Sequence, residues 1–410
     1  MSLPLRPQPG VLGSGVTAAF GFQAGTAAAD IRACGEARDD VALLVSEVVA
    51  TAAGVFTANR VKAAPVVLSQ LHLKRGVARA VVVNSGNANA CTGARGLGDA
   101  LRMAQAAADA VDCAPGEVLV ASTGVIGRPM PMERIEPAIA RAAQALEVGG
   151  GHRAAEAIMT TDTRPKEAVA SFRVAGVTHT VGGTAKGAGM IHPDMATLLA
   201  FVTSDARLPQ PLLARLLAER VRTTFNTISV DGDTSTNDSC LLLANGAAGG
   251  PELAPDSRGA GDFAEALGQV LADLAEQVVA DGEGATRTFS VHITGALDEE
   301  QARWAARVVS SSPLVKTAVH GGDPNWGRIL AAVGRSGAEL ALDRCRLSIA
   351  GEELFARGQA APGRLEQLAR ALRQPRVAIE MDLGMGDAQA TALGCDLSPD
   401  YVRINADYTT

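Results

Sequence analysis

Thr197 sits in the run KGAGMIHPDMATLLAF, residues 186–201, between Ala196 and an apolar segment with the composition of a buried strand. A threonine hydroxyl is a poor nucleophile until a base takes its proton. If the chain is cut between Ala196 and Thr197, the threonine's own α-amine becomes that base, and its unperturbed pKa of about 8 lies close to working pH. A small residue before the bond and a loop of glycine and proline leading into it are compatible with self-cleavage; spacing alone is equally compatible with an ordinary threonine at the start of a strand. A second candidate is Ser122-Thr123-Gly124-Val125-Ile126-Gly127, at the end of the apolar run EVLVA. A glycine N–H and a threonine hydroxyl placed together can hold the oxyanion of a carbonyl turning tetrahedral. Strand–Thr–Gly turns are common, so this motif acquires meaning only beside a nucleophile.

Other polar residues read as ordinary when taken singly. Lys186 before its glycines is a solvated lysine, Glu283 in DGEG a turn carboxylate, and His192 a loop histidine. Asn84-Ser85-Gly86-Asn87-Ala88-Asn89 is a turn, since Asn and Gly accept left-handed backbone, or else the wall of a site. Asp231-Gly232-Asp233 with Asp238 lacks the length and closing Glu of an EF-hand, so a polar hairpin turn near the site is expected. Gly187-Ala188-Gly189 is followed by Pro193 and a strand, which excludes the dinucleotide fingerprint, and no GK[ST] closes a glycine run. The six histidines show no metal-ligand spacing.

The elements that must position these residues are short. Apolar runs predict strands or short buried elements at 41–49, 64–68 and 78–83, and strands at 117–121, 169–174, 177–181 and 198–202. Helical periodicity marks 96–111, 131–146, 209–223 and 259–280. Residues 227–230 and 240–244 are expected as strands flanking the polar turn DGDTSTND. After Gly284 the pattern changes to strand and helix pieces of a smaller α/β lobe. The tail YVRINADYTT alternates like a strand.

The 410 residues exceed a single core of usual size. With 37 Lys and Arg scattered along a chain of net charge −7, there is no concentrated basic face for nucleic acid or an anionic membrane. No apolar run is long enough to span a bilayer, and the N-terminus lacks the pattern of a secretory signal. The six cysteines are far apart, which predicts buried, reduced thiols and a cytoplasmic protein.

KGAGMIHPDMATLLAF strongly resembles the signature of the ornithine acetyltransferases, arginine-biosynthesis enzymes, some bifunctional, that make N-acetylglutamate. The resemblance continues in order through NSGNANACTG, ASTGVIG, IMTTDTRPK, DGDTSTNDS, HGGDPNWGR and YVRINADYTT, with a weaker echo in GFQAGTAAADIR. It implies an α/β (α+β) fold, an N-terminal-nucleophile-like αββα sandwich with a smaller C-terminal α/β domain. The implied boundaries are 1–284 for the sandwich, 285–400 for the smaller domain and 401–410 for a tail returning to the active site. Thr197 is then the nucleophile, freed after Ala196 so that an α chain, 1–196, and a β chain beginning at 197 result. Thr123 and Gly124 are the oxyanion pair, and Thr160, Lys186, Thr197, Glu283, Asn405 and Thr410 bind substrate. The implied reaction moves acetyl from N²-acetylornithine to glutamate by a ping-pong route, with acetyl-CoA a candidate co-substrate, no bound cofactor, no metal and an α₂β₂ assembly. Two other readings stay open: a peptidase or amidase of the same fold in which water accepts the acyl group, and a non-catalytic metabolite-binding protein.

Overall fold

The computed structural model describes residues 13–35, 38–192, 198–361 and 365–407. Its strands run β1 (Phe22–Ala27), β2 (Val41–Phe56), β3 (Val77–Asn87), β4 (Val118–Val125), β5 (Lys166–Val174), β6 (Val177–Lys186), β7 (Leu199–Ser204), β8 (Ile228–Ser229), β9 (Ser239–Ala244) and β10 (Thr288–Ala296). They continue with β11 (Arg346–Ile349), β12 (Glu352–Ala356), β13 (Gln359–Ala360), β14 (Arg376–Asp382) and β15 (Ala388–Cys395). The helices used below are α1 (Ala64–His72), α2 (Gly93–Val111), α3 (Met132–Gln144), α4 (Gly151–Ala157), α5 (Gln210–Thr223), α6 (Arg258–Ala280), α7 (Glu299–Ser310), α8 (Pro313–Gly321), α9 (Trp326–Gly334), α10 (Leu365–Ala371) and α11 (Pro399–Asp407).

The first sheet is a ladder β4-β3-β2-β9-β7-β6-β5, with β1 also paired to β2. Its central strands are apolar on both faces, as strands covered on both sides must be. In β3, Ala80 and Val82 face a core that also holds Met103 and Ala107 of α2 and Ile135 and Ile139 of α3. Val81 and Val83 face the opposite way, into a core shared with Leu199 and Phe201 of β7 and Leu241 and Leu243 of β9. The intervening residues of those strands, Ala200, Val202, Cys240 and Leu242, turn outward to pack with α5 and α6. Helices therefore cover two half-sheets from outside while an inner core fills the space between them, which is the αββα sandwich. The halves are joined by β2, 16 residues long. Its first part pairs with β1 and β3, its register with β3 breaks between Val45 and Ala50, and residues 51–56 pair with β9.

The second sheet has the order β13-β12-β11-β14-β10-β15-β8. Ala302, Ala305, Ala306 and Val309 of α7 and residues of α8 and α9 close its core. Among the described residues no helix is long and apolar enough to cross a membrane.

Four sequence expectations fail here for identifiable reasons. Residues 64–68 begin a helix, because Pro65 sits in a first turn that needs no N–H and the Ser69 hydroxyl bonds Val120 of β4, donating at 2.7 Å to its carbonyl and accepting at 2.8 Å from its N–H. The stretches 227–230 and 240–244 do not pair with each other: β8 joins β15 of the second sheet in parallel, and β9 lies between β2 and β7. The tail is helical over Pro399–Asp407 and buries no residue fully, so no apolar stripe announced it. Finally, Cys34 and Cys91 are exposed and Cys113 half-buried; only Cys240, Cys345 and Cys395 are buried, and all six are free thiols.

Candidate active site

β3 and β4 run parallel and end together. There Gly86 lies opposite Gly124, and Asn87 is paired with both Thr123 and Val125, a local irregularity in the ladder. Gly124 has φ +131°, and a Cβ on it would stand 2.3 Å from the Gly86 carbonyl carbon and 2.5 Å from the Asn87 nitrogen. Only glycine fits this close approach of two backbones. Within the NSGNAN stretch Asn84 Nδ2 donates to the Asn87 carbonyl at 2.9 Å and the Asn87 Oδ1 accepts the Asn89 N–H at 2.8 Å, while Asn87 Nδ2 donates outward to the carbonyls of Arg128 and Pro129 at 3.2 Å. Asn237 ties the polar turn after β8 to this wall, its Nδ2 donating to the carbonyls of Ala88 (2.6 Å) and Ser122 (2.8 Å). The turn expected at NSGNAN is instead the end of β3, and it forms a wall, since Ala88, Thr123, Gly124 and Asn237 line one cleft of about 140 Å³.

Lys186, at the end of β6, is buried and enters the same cleft. Its Nζ donates to Thr160 Oγ1 at 2.8 Å and to Thr123 Oγ1 at 3.4 Å, and lies 3.8 Å from Asp162 Oδ2. Behind it Lys166, wholly out of water, pairs with Asp162 at 2.7 Å and Asp281 at 2.6 Å. Asp162 also accepts the Gly187 N–H at 2.6 Å. Burial pushes the Asp162 carboxyl up, but Lys186, Lys166 and these hydrogen bonds outweigh it and hold it well below the usual carboxylate range. Burial lowers the Lys186 ammonium from its ordinary value, against the pull of Asp162.

The cleft also carries acids. Glu283 is buried, and its Oε2 accepts from Asn405 Nδ2 of α11 at 2.8 Å. Gly189 leaves room for it: a Cβ there would lie within 2.5 Å of the carboxylate. Asp231 accepts the N–H groups of Met190 and Ile191, and burial raises its pKa. Tyr401, one turn before Asn405, lines the cleft; burial, then Asp231, Glu283 and Asp233, push its phenol above its ordinary value.

Of the residues singled out from sequence, Thr123, Gly124, Thr160, Lys186, Glu283 and Asn405 line this one cleft. Thr197, Ala196 and Thr410 lie outside the described residues; Leu198, the neighbour of Thr197 in the chain, lines the cleft. Asp231 and Asp233 belong to it, as a polar turn near the site should. His192 instead hydrogen-bonds Ser229 through Nδ1 (3.1 Å) and Arg307 through Nε2 (3.0 Å), a contact with α7. Sequence reasoning missed Tyr401, Asn237 and the Asp162–Lys166–Asp281 network. The only local sign of that network was the four-residue spacing of Asp162 and Lys166 in DTRPK. Among the described residues no group of His, Cys, Asp and Glu has the make-up of a metal site.

The network makes a stability prediction. Asp162→Asn leaves two buried ammonium groups short of their shared carboxylate. Breaking a buried ion pair from one side costs about 3–5 kcal/mol. Denaturant unfolding of the variant should show a midpoint lowered accordingly; an unchanged midpoint would mean that the carboxylate's charge is not needed there.

A match to the ArgJ family spans residues 23–410. The arginine biosynthesis bifunctional protein ArgJ of Symbiobacterium thermophilum is 51% identical, over 97% of this chain and 99% of its own length. The crystal structure of the protein of the same name from Bacillus halodurans is 39% identical with a TM-score of 0.50, covering 51% of this chain and 98% of that one. The structure of ornithine acetyltransferase complexed with ornithine from Mycobacterium tuberculosis is 42% identical with a TM-score of 0.39, covering 45% of this chain and 96% of that one.

Proposed function

The chain belongs to the ArgJ family and is an acetyltransferase of arginine biosynthesis, and we propose that it carries acetyl from N²-acetylornithine to glutamate on the hydroxyl of Thr197, freed by self-cleavage after Ala196. The observation that carries this reading is convergence. Thr123, Gly124, Thr160, Lys186, Glu283 and Asn405, from distant parts of the sequence, line one cleft together with Leu198. The lengths of the solved relatives support the cut: the Bacillus halodurans chain is covered almost whole by about half of this one.

In the first half-reaction Thr197 Oγ attacks the acetamide carbonyl while the threonine's α-amine takes the proton and passes it to the departing ornithine nitrogen. The oxyanion is held by the Thr123 hydroxyl and the Gly124 N–H. Thr123 Oγ1 accepts from Lys186, which leaves its own hydrogen free to be donated to the oxyanion. The acetyl ester then passes to the amine of glutamate by the reverse sequence. An ammonium at Lys186 suits a substrate carboxylate, and Glu283, oriented by Asn405, suits a substrate ammonium. The finer expectations, an α₂β₂ assembly and acetyl-CoA as a second donor, belong to the same proposal.

Thr197→Ala should give a single uncut chain near 41.9 kDa by intact mass, with no acetyl transfer; two chains from that variant would remove Thr197 as nucleophile. Thr123→Ala should lower the acylation rate about 10²–10³-fold, roughly 3 kcal/mol of transition-state stabilisation, without changing thermal unfolding. An undiminished single-turnover rate would take Thr123 out of the oxyanion hole. Incubation with N²-acetylornithine separates transfer from hydrolysis: acetylglutamate should appear when glutamate is present, and release of free acetate at the same rate without it would favour the hydrolase reading.

A further inference from the structure

Glu283 has no regular element of its own to hold it. It lies in the turn between α6, which ends at Ala280, and β10, which starts at Thr288. A carboxylate on a turn recognises a cation well only if neighbouring segments fix the turn. In N²-acetylornithine the only ammonium is at the end of the side chain, so aim matters there.

Residues 395–398, which join β15 to α11, fix this turn. Asp396 Oδ1 accepts the N–H groups of Thr286 at 2.7 Å and Arg287 at 2.9 Å, and its Oδ2 accepts the Thr286 hydroxyl at 2.6 Å. The Asp396 N–H donates to the Arg287 carbonyl at 3.0 Å. Ser398 Oγ donates to the Gly284 carbonyl at 2.6 Å. Gly284 has φ +68°, and a Cβ on it would stand 2.5 Å from the Tyr401 nitrogen, so only glycine lets the turn lie against the start of α11. One short strap thus grips the chain just after Glu283 and leads into the helix whose Asn405 donates to Glu283 Oε2.

The strap is held in turn by α8 of the second lobe. His320 Nδ1 lies 2.7 Å from Asp396 Oδ2, and the Arg287 guanidinium donates to the His320 carbonyl at 2.7 Å. The buried Lys316 ammonium donates to the Cys395 carbonyl. His320 opens the HGGDPNWGR stretch, none of whose residues lines the cleft. Burial pushes the Asp396 carboxyl up, but hydrogen bonds from Thr286, His320 and the backbone outweigh it and hold it below its ordinary value. Resting on the reading of Glu283 given above, we propose that Asp396 is a positioning residue for donor specificity: clamped by His320, it fixes the turn that carries Glu283 and the start of the helix that carries Asn405, and so aims the Glu283 carboxylate at the side-chain ammonium of N²-acetylornithine.

Plain support of the fold predicts something different. Loss of general support slows every acetyl donor alike. Loss of aim at an ammonium falls on N²-acetylornithine far more than on N-acetylglutamate, the donor of the reverse reaction, which carries no ammonium.

The test compares the two donors on the purified enzyme. Transfer from N²-acetylornithine to glutamate gives one kcat/KM, and exchange of acetyl between N-acetylglutamate and isotopically labelled glutamate gives the other. Asp396→Asn replaces one acceptor oxygen by a donor. Its kcat/KM for N²-acetylornithine should fall at least about tenfold further than that for N-acetylglutamate, through KM rather than kcat, because the ammonium is held alike in ground and transition states. Glu283→Gln should show the same selectivity. His320→Leu should show a smaller loss of the same sign, and His320→Gln, which can still donate to Asp396, should recover it. Equal losses with both donors in Asp396→Asn, beside a selective Glu283→Gln, overturn the role of Asp396 alone. An unselective Glu283→Gln overturns the reading of Glu283 on which the proposal rests. A cooperative thermal transition shows that Asp396→Asn is folded; if it is not, the two His320 variants decide, and wild-type donor selectivity in His320→Leu overturns the proposal.

Discussion

A lysine with no access to water governs the geometry of this site. The Lys166 ammonium can remain buried only because Asp162 and Asp281 both reach it, and each of those carboxylates holds a second part of the cleft. Asp162 fixes the Gly187 N–H and faces Lys186, and its Oδ2 accepts the backbone N–H of Thr160. Asp281 takes the N–H and hydroxyl of Thr163 and lies two residues before Glu283 at the end of α6. One buried charge cluster therefore positions the cationic pole of the cleft and, through the DGEG turn, its acidic pole. Such a cluster need not add net stability, because desolvation offsets most of the attraction. Its effect is to make any other arrangement of these segments cost several kcal/mol.

Close backbone approach is the second constraint. The cleft wall at Thr123 depends on Gly124 lying against Gly86, and the acidic pole depends on Gly189 giving way to the Glu283 carboxylate. At both positions the missing side chain is the requirement, so chemistry in this cleft is shaped as much by absent atoms as by polar ones.

The strands were legible wherever their composition reflected burial on two faces. Runs such as AVVV and CLLLA suit strands covered on both faces, and β3 and β9 lie where they predict. Legibility failed where a local pattern was overridden. The run APVVL read as a strand or another short buried element, and contact with β4 made it the start of α1. The alternation in YVRIN reads as a strand, yet the segment is a helix that buries nothing and is held by Tyr401 and Asn405 at the cleft. The polar turn suggested a hairpin, but β8 left for the second sheet. In the site, Thr123, Lys186 and Glu283 each looked ordinary alone and gained meaning from the family resemblance. The pairing of Lys166 with Asp281 spans more than a hundred residues and left no mark in either local sequence.

The strand order has a consequence for a chain severed between 196 and 197. β9 and β7 would then belong to the second piece, while β4, β3 and β2 on one side and β6 and β5 on the other belong to the first. The two pieces are interleaved in one sheet, with hydrogen-bonded ladders at both seams, β2 to β9 and β7 to β6. Neither can leave without unzipping both seams and exposing the inner core at once. Severing the backbone would thus produce two polypeptides but not two bodies.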